Sequence, residues 1–117
     1  MSGENLVART KKFALQCVQV AQKLKGSYLA HHIKGQLIRC STSVAANYRA
    51  SRLAQSKAAF IAKLSIVIEE ADECEFWLEF ALDSQLLGKE DVDSIKKEAR
   101  ELTAIFVSSR KTAQGRN

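Results

Sequence analysis

Glu70, Glu73 and Glu75 lie in the densest group of acidic side chains in the sequence. Paired carboxylates catalyse proton transfer when burial or a neighbouring charge raises the pKa of one of them. Glu75 is at the edge of the predicted apolar side of a helix, where loss of solvent would raise its pKa. Ion pairing is the stronger interpretation, because Arg39 is an available counter-ion. We predict that Glu70 or Glu73 pairs with Arg39, within one chain or between copies.

Histidine and cysteine form no recognisable metal or nucleophile pattern. His31 and His32 are neighbours, and adjacent helix residues point about 100° apart, so exposed or capping positions are favoured over a metal site. Cys17, Cys40 and Cys74 have no CxxC spacing, and we expect them to be small buried side chains in a reducing compartment. Paired Glu-x-x-His segments, HExxH, a nucleophile elbow and a phosphate-binding Gly loop are all missing from the sequence. The sequence therefore predicts no enzymatic activity, metal or cofactor.

Basic side chains are concentrated in the first half of the chain. Residues 1–63 carry eleven Lys/Arg and one acid, a net charge of +10, whereas residues 64–117 carry seven Lys/Arg and twelve acids, a net charge of −5. Such a surface can neutralise phosphates; without interleaved aromatic residues, binding to nucleic acid would be independent of sequence and sensitive to salt. A solvated surface that complements the acidic third helix explains the imbalance equally well. The candidate nucleic-acid contacts are Lys11, Lys12, Lys23, Lys25, Arg49 and Arg52.

Residues 56–87 predict a long helix on which the rest of the fold depends. The segment contains no Pro or Gly, and its apolar residues recur at alternating spacings of four and three, which keeps one side of a helix facing a partner. At 1.5 Å per residue the helix would be roughly 45 Å long, too long to be stable alone in water. The predicted inward residues are Phe60, Leu64, Val67, Ala71, Cys74, Leu78 and Ala81.

The opposite side of the same helix is also apolar, with Ile66, Phe76, Trp77 and Phe80 among acids. Two interpretations remain open: other helices of the chain cover both sides, or copies of the chain cover this one. Three exposed aromatic rings and Ile66 would exceed the apolar patch that a monomer usually shows, which favours an interface between copies. The predicted interface residues are Arg39, Ile66, Glu70, Glu73, Phe76, Trp77 and Phe80.

Three further amphipathic helices are predicted, at residues 5–25, 28–53 and 90–109. The small side chains of residues 40–47 leave space that the aromatic residues of the third helix are expected to fill. Four such helices with short connections predict an all-α fold, an antiparallel up-down-up-down four-helix bundle, in one domain of residues 1–117. The predicted terminal residues are Asn5, Ser27 and Ser56 as N-caps, with Gly26 and Gly88 as stops.

Composition and hydropathy indicate an ordered globular protein. Hydrophobic residues make up 46% of the chain and charged residues 26%. No uncharged apolar stretch reaches about 18 residues, and the N-terminal residues lack the apolar core of a signal peptide. We therefore expect a cytoplasmic protein without a membrane segment.

Two ordered groups of residues resemble a known family over nearly the whole chain. The second helix contains Gln36-Leu37-Ile38-Arg39, then Thr42-Ser43-Val44 and Ala46-Asn47. The third contains Ser56, Phe60-Ile61, Lys63-Leu64, Glu70-Ala71, Glu73 and Trp77-Leu78. These motifs resemble the bacterial four helix bundle protein family, which includes proteins encoded in intervening sequences of 23S rRNA genes. Cys40 stands where this family usually has Ser, and Ser41 and Ala45 where it often has Gly.

The resemblance implies a four-helix bundle that assembles as a homopentamer around a central channel and has no catalytic activity. The accessory variability protein of diversity-generating retroelements is similar in architecture and works with nucleic acid, an analogy of fold alone. Residues and resemblance together predict a non-enzymatic homo-oligomer that binds RNA or DNA through its basic surface. The alternative is a scaffold or adaptor for other proteins.

Overall fold

A computed structural model describes residues 5–115, in which four α-helices alternate in direction. Helix α1 spans Leu6–Ala21, α2 Tyr28–Ser51, α3 Lys57–Asp83 and α4 Lys89–Ala113. The molecule measures 46 × 21 × 21 Å, the shape expected when helices of about 40 Å lie side by side. No strand occurs in the described part of the chain. The predicted all-α up-down-up-down bundle is confirmed.

The helices occupy the four corners of the bundle in chain order. Helix α2 packs against α1 and α3, and α3 packs against α4. The contact between α1 and α4 is looser, and within residues 5–115 the backbones of α1 and α3 do not approach each other closely, although their side chains meet in the core. Helices α1 and α3 are therefore at opposite corners, and each has a side that faces away from the bundle.

The core lies between the four helices, and α3 contributes to it the residues that the helical spacing predicts. Every inward residue predicted for α3 is buried except Phe60, which is partly buried. The buried hydroxyl of Thr10 donates to the carbonyl of Leu6 at 2.8 Å, so it does not remain unpaired in the core. The other three helices bury Leu6, Phe13, Cys17, Val20, Ala30, Ile33, Leu37, Cys40, Val44, Tyr48, Val92, Ile95, Ala99, Leu102 and Phe106.

The aromatic residues of α3 do not fill the space beside residues 40–47, contrary to the prediction. Phe76 and Phe80 are exposed. Trp77 contacts His32 near the N-terminal end of α2, away from residues 40–47. Phe76 and Phe80 point away from the inward side, and Trp77 packs against the edge of the core without entering it. The large rings in the core are instead supplied by the other three helices, among them Phe106.

Helix α1 ends at Ala21, four residues before the predicted end. Leu24 lies in the connection yet is buried, because the chain turns back over the core there, and Gly26 takes a φ of +95° in that turn. Asn5 occupies the N-cap position of α1 without a side-chain capping bond. Ser27 caps α2 as predicted, its Oγ accepting from the Ala30 N–H at 3.0 Å.

Helix α3 ends at Asp83, and Gly88 is the N-cap of α4 and not the stop of α3. Gln85 has a φ of +64°, and the Leu86 N–H reaches back to the Ala81 carbonyl at 2.9 Å, the bond that closes a Schellman motif. A residue other than glycine takes the left-handed position, which the sequence did not indicate. Other predicted boundaries also shift: α2 ends at Ser51 and α4 runs to Ala113, while Ser56 caps α3 as predicted.

Within residues 5–115, no helix combines the length and the hydropathy that a membrane span requires.

Candidate assembly and nucleic-acid surfaces

Arg39 of α2 joins two of the clustered carboxylates of α3. Its Nη1 donates to Glu70 Oε2 at 3.1 Å, and its Nη2 donates to Glu73. The hydrogen bonds to Glu73 and then Glu70 raise the pKa of Arg39, and the bond from Arg39 lowers the pKa of Glu73. The predicted ion pair is confirmed and forms within one chain. Because 47% of the Arg39 side chain is exposed, it is a surface pair.

Further polar residues extend this contact along the boundary of α2 and α3. Ser43 Oγ donates to Glu70 at 3.2 Å, and Asn47 Nδ2 donates to Ser43 Oγ at 2.9 Å. The indole N–H of Trp77 donates to Glu73 at 3.1 Å. Ser43 and Asn47, which were not predicted as site residues, are i and i+4 on α2 and therefore share one side of it. The motif residues thus hold two helices of the same chain together.

Glu75 is on the opposite side of α3, facing α4. Its carboxylate accepts from Arg100, so the three clustered acids are divided between two helix contacts. Glu79 lies 3.5 Å from Lys96 Nζ in the same contact. The carboxylates of α3 that face a neighbouring helix are therefore paired with cations, a structural role and not an acid–base arrangement.

The outward side of α3 carries a surface that we call the aromatic ridge, formed by Ile66, Phe76 and Phe80. These side chains are 38%, 50% and 41% exposed. The rings of Phe76 and Phe80 are 5.8 Å apart, so they form one continuous patch. With side chains of about 200 Å² each, the ridge exposes roughly 250 Å². Within residues 5–115 no helix covers the ridge, so the interpretation in which the chain covers both sides of α3 is wrong.

Trp77 differs from Phe76 and Phe80 because the chain itself covers most of its surface. Its ring contacts His32 edge-on at 5.5 Å and Phe76 at 4.9 Å. The apolar patch is consequently smaller than the sequence predicted and lies within the few hundred Å² that monomers show. Apolar area alone therefore does not decide whether a partner covers the ridge.

Three acids surround the aromatic ridge, and all three are exposed: Glu69, Asp72 and Asp83. By helical spacing they project on the same outward side as the ridge. None forms an ion pair with another residue of the described chain, in contrast to the acids that face α2 and α4. The outward side of α3 is therefore both apolar and negatively charged.

A second uncovered surface lies between α1 and α2, and we call it the basic groove. Its volume is about 320 Å³. Val7 and Leu15 on its α1 side are 42% and 56% exposed. The small side chains of α2 leave this space open. They belong to residues 40–47, beside which the sequence predicted space for a neighbouring side chain. The lining residues are Val7, Lys11, Ala14, Leu15, Val18, Thr42, Ala45, Ala46 and Arg49.

The structure brings together two of the six predicted nucleic-acid contacts, since Lys11 and Arg49 both line the basic groove. Neither forms an ion pair with a carboxylate of residues 5–115. Lys25 is exposed in the connection after α1. These three side chains keep their full positive charge available to a ligand.

The other three predicted contacts are in different settings. Lys23 Nζ pairs with Asp91 at 2.6 Å, which raises the pKa of Lys23 and neutralises part of its charge. Arg52 donates to the Tyr48 hydroxyl at 3.3 Å. Lys12 lines a polar cleft of about 410 Å³ between α1 and α4. The six cations thus form no single compact patch.

The three cysteines meet in the core, although they are far apart in sequence. Cys74 Sγ lies 3.2 Å from Cys40 Sγ, and all three thiols are buried and free of disulfides. Hydrogen bonds with Cys17 and Cys40, together with burial, raise the pKa of the Cys74 thiol. Within the described chain no group of His, Cys, Asp and Glu side chains is arranged to hold a metal ion.

Comparison with known proteins gives one family. The model of the 23S rRNA-intervening sequence proteins matches residues 5–108, which include all the helix contacts described above. A crystal structure of a protein with unknown function from the S23 ribosomal protein family of Bacteroides thetaiotaomicron is similar to this chain. The two share 31% identity over 90% of this chain and 97% of that one, with a TM-score of 0.82. No curated protein matches. This chain therefore belongs to the 23S rRNA-intervening sequence protein family.

Proposed function

We propose that the protein is a non-enzymatic homo-oligomer, a pentamer, whose basic surface binds nucleic acid in the cytoplasm without sequence preference. The uncovered aromatic ridge of α3 is the observation that carries the assembly. Burial of large apolar side chains drives most protein association, and aromatic residues are enriched in interfaces. The number five comes from the family resemblance.

Charge supports the nucleic-acid part of the proposal. Lys12 and Lys25 are exposed and have no ion pair within the described chain, whereas the carboxylates beside other helices are paired. Unpaired cations release counterions when they meet phosphates, and repetition in an oligomer multiplies weak contacts. The printed names of the family and of its solved relative refer to ribosomal RNA and to a ribosomal protein family, so RNA is the first probe to use.

A sedimentation experiment tests the assembly. We expect the protein at micromolar concentration to sediment with a mass several times the 13.0 kDa of one chain. A single-chain mass at every concentration would contradict the assembly, and would favour instead a surface that binds a different protein.

Fluorescence anisotropy with a labelled single-stranded RNA and a duplex DNA of arbitrary sequence tests nucleic-acid binding. We expect both to bind at about 50 mM salt and to lose roughly tenfold or more in affinity by about 200 mM. Lys12→Glu and Lys25→Glu, tested one at a time, should each reduce affinity for both and lower the salt dependence by about one unit. Lys97→Glu, an exposed lysine of α4, is the matched control.

Two outcomes would contradict the binding proposal. One is a lack of binding even at about 50 mM salt, where phosphate contacts are strong. The other is an equal loss of affinity in the Lys97→Glu control, which would indicate a general effect of net charge.

A further inference from the structure

The chain has two uncovered apolar surfaces, and they differ in shape and charge. The aromatic ridge projects from α3 among Glu69, Asp72 and Asp83, whereas the basic groove is recessed between α1 and α2 beside Lys11 and Arg49. We infer that the aromatic ridge of one copy docks in the basic groove of the next copy. The inference rests on the proposed self-assembly and identifies the two surfaces that make it.

The dimensions of the two surfaces agree. At 1.5 Å per residue, the ridge extends about 21 Å along α3 from Ile66 to Phe80. The groove extends about 17 Å along α1 from Val7 to Val18. Its volume of about 320 Å³ lies in the range of clefts that accept apolar groups. A row of side chains on one helix therefore fits a groove between two others.

Charge selects this pairing over the symmetrical ones. The acids around the ridge and the cations in the groove have no ion-pair partner within residues 5–115. Ridge against ridge would place acids beside acids, and groove against groove would place Lys11 beside Arg49 or Lys11 of the other copy. Opposite charges across an interface favour encounter and exclude the wrong orientation. Ridge against groove is the one combination in which both sets of charges attract.

The positions of the surfaces make the assembly directional. Helices α1 and α3 are at opposite corners of the bundle, so one copy can present its ridge and its groove simultaneously. An interface between two different surfaces leads to a ring when the rotation between copies closes. Such docking covers Lys11 and Arg49 and leaves Lys12 and Lys25 available to phosphates.

Two charge-introducing variants test the docking. Leu15→Glu changes the α1 side of the groove and Phe76→Glu changes the ridge; these side chains are 56% and 50% exposed in the single chain, so both variants should keep their helical circular dichroism. Ala104→Glu, an exposed position of α4 outside both surfaces, is the control. The masses of all proteins and of mixtures are measured by sedimentation velocity.

The expected result depends on mixing. Leu15→Glu and Phe76→Glu should each sediment as a single chain, whereas Ala104→Glu should assemble like the unchanged protein. Leu15→Glu retains its ridge and Phe76→Glu retains its groove. An equimolar mixture should therefore form a pair of one copy each and nothing larger, because the pair exposes only damaged surfaces.

Other outcomes overturn the inference separately from the proposed function. If the unchanged protein assembles and Leu15→Glu assembles equally, the groove is not the partner of the ridge, and the assembly itself stands. Two single-chain variants that fail to pair on mixing would likewise contradict the docking. If the unchanged protein remains a single chain at every concentration, the proposed assembly fails and the docking fails with it.

Discussion

Helix α3 has two apolar sides, and they differ in what covers them. On the inward side, Leu64, Val67 and Leu78 are fully buried by the other helices of the chain. On the outward side, Phe76 and Phe80 keep 50% and 41% of their surface exposed. The amino acids on the two sides are about equally hydrophobic, so hydrophobicity alone does not distinguish a core surface from a binding surface.

The acids of α3 show the same division. Those that face a neighbouring helix, Glu70 and Glu75, are paired with arginines, whereas Glu69, Asp72 and Asp83 on the outward side have no ion pair within the described chain. Where the apolar side chains are buried and the acids are ion-paired, the contacts of that side are all made within one chain. A side with exposed apolar side chains and unpaired acids is suited to a partner that carries positive charge.

The largest effect that we expect is on the reaction rate of the cysteines, which shows whether solvent reaches the inward side of α3. Cys17, Cys40 and Cys74 are buried, and the hydrogen bonds with Cys17 and Cys40, together with burial, raise the pKa of the Cys74 thiol. We expect all three thiols in the native protein to react with a thiol reagent at least about a thousandfold more slowly than after unfolding in urea. Rapid reaction of any thiol in the native protein would show that the inward side opens to solvent.

Truncation of one residue on each side of α3 separates core from interface. Leu78→Ala leaves a cavity in the core and should lower the free energy of unfolding by about 2–5 kcal/mol. It should do so equally at low and high protein concentration.

Phe76→Ala should cost less than about 1 kcal/mol at low concentration, because the side chain is already half exposed. At high concentration it should cost more, since the assembled state is then lost. Urea denaturation at two protein concentrations measures both variants. A concentration-independent cost for Phe76→Ala would contradict the distinction between the two sides.

The ion pairs on the α2 side of α3 should contribute little by comparison. Arg39→Gln removes the bonds to Glu70 and Glu73, and because the arginine is half exposed the cost should be about 0.2–1 kcal/mol. The same denaturation experiment at about 0.05 M and 0.5 M salt should show that this cost falls as salt rises. A loss of about 3–5 kcal/mol would indicate that the pair is covered, as it would be inside an interface between copies.

Lowering the pH should remove the contribution of the Arg39–Glu73 pair to the free energy of unfolding. The Arg39 hydrogen bond lowers the pKa of Glu73 in the folded chain. Its stabilising effect is therefore complete above the pKa of the unfolded chain, about 4.3, and is lost as the pH falls through the lower folded value. The decline in unfolding free energy between about pH 5 and pH 3 should be shallower in Arg39→Gln than in the unchanged protein. An identical decline in both would show that Glu73 is not linked to folding.

The core could be predicted from the sequence because helical spacing alone determines which side of each helix faces inward. Residues such as Ala71 and Leu78 needed no other information. Helix ends were less predictable, because they depend on the turn that follows. Gln85 takes a left-handed conformation that usually belongs to glycine, and the chain reverses there, three residues before Gly88.

The candidate surfaces could be predicted only in part. The spacing of Phe76 and Phe80 placed them correctly on the outward side of α3. The basic groove was missed as a site, because it depends on small residues of α2, such as Ala45 and Ala46, lying opposite Leu15 of α1. That juxtaposition is a property of helix packing and has no local sequence pattern.

Sedimentation equilibrium of the unchanged protein tests the central claim, that other copies of the chain cover the outward side of α3. At micromolar concentration we predict a mass of five times the 13.0 kDa of one chain, which falls on dilution. A mass of one chain throughout the concentration range would contradict the account.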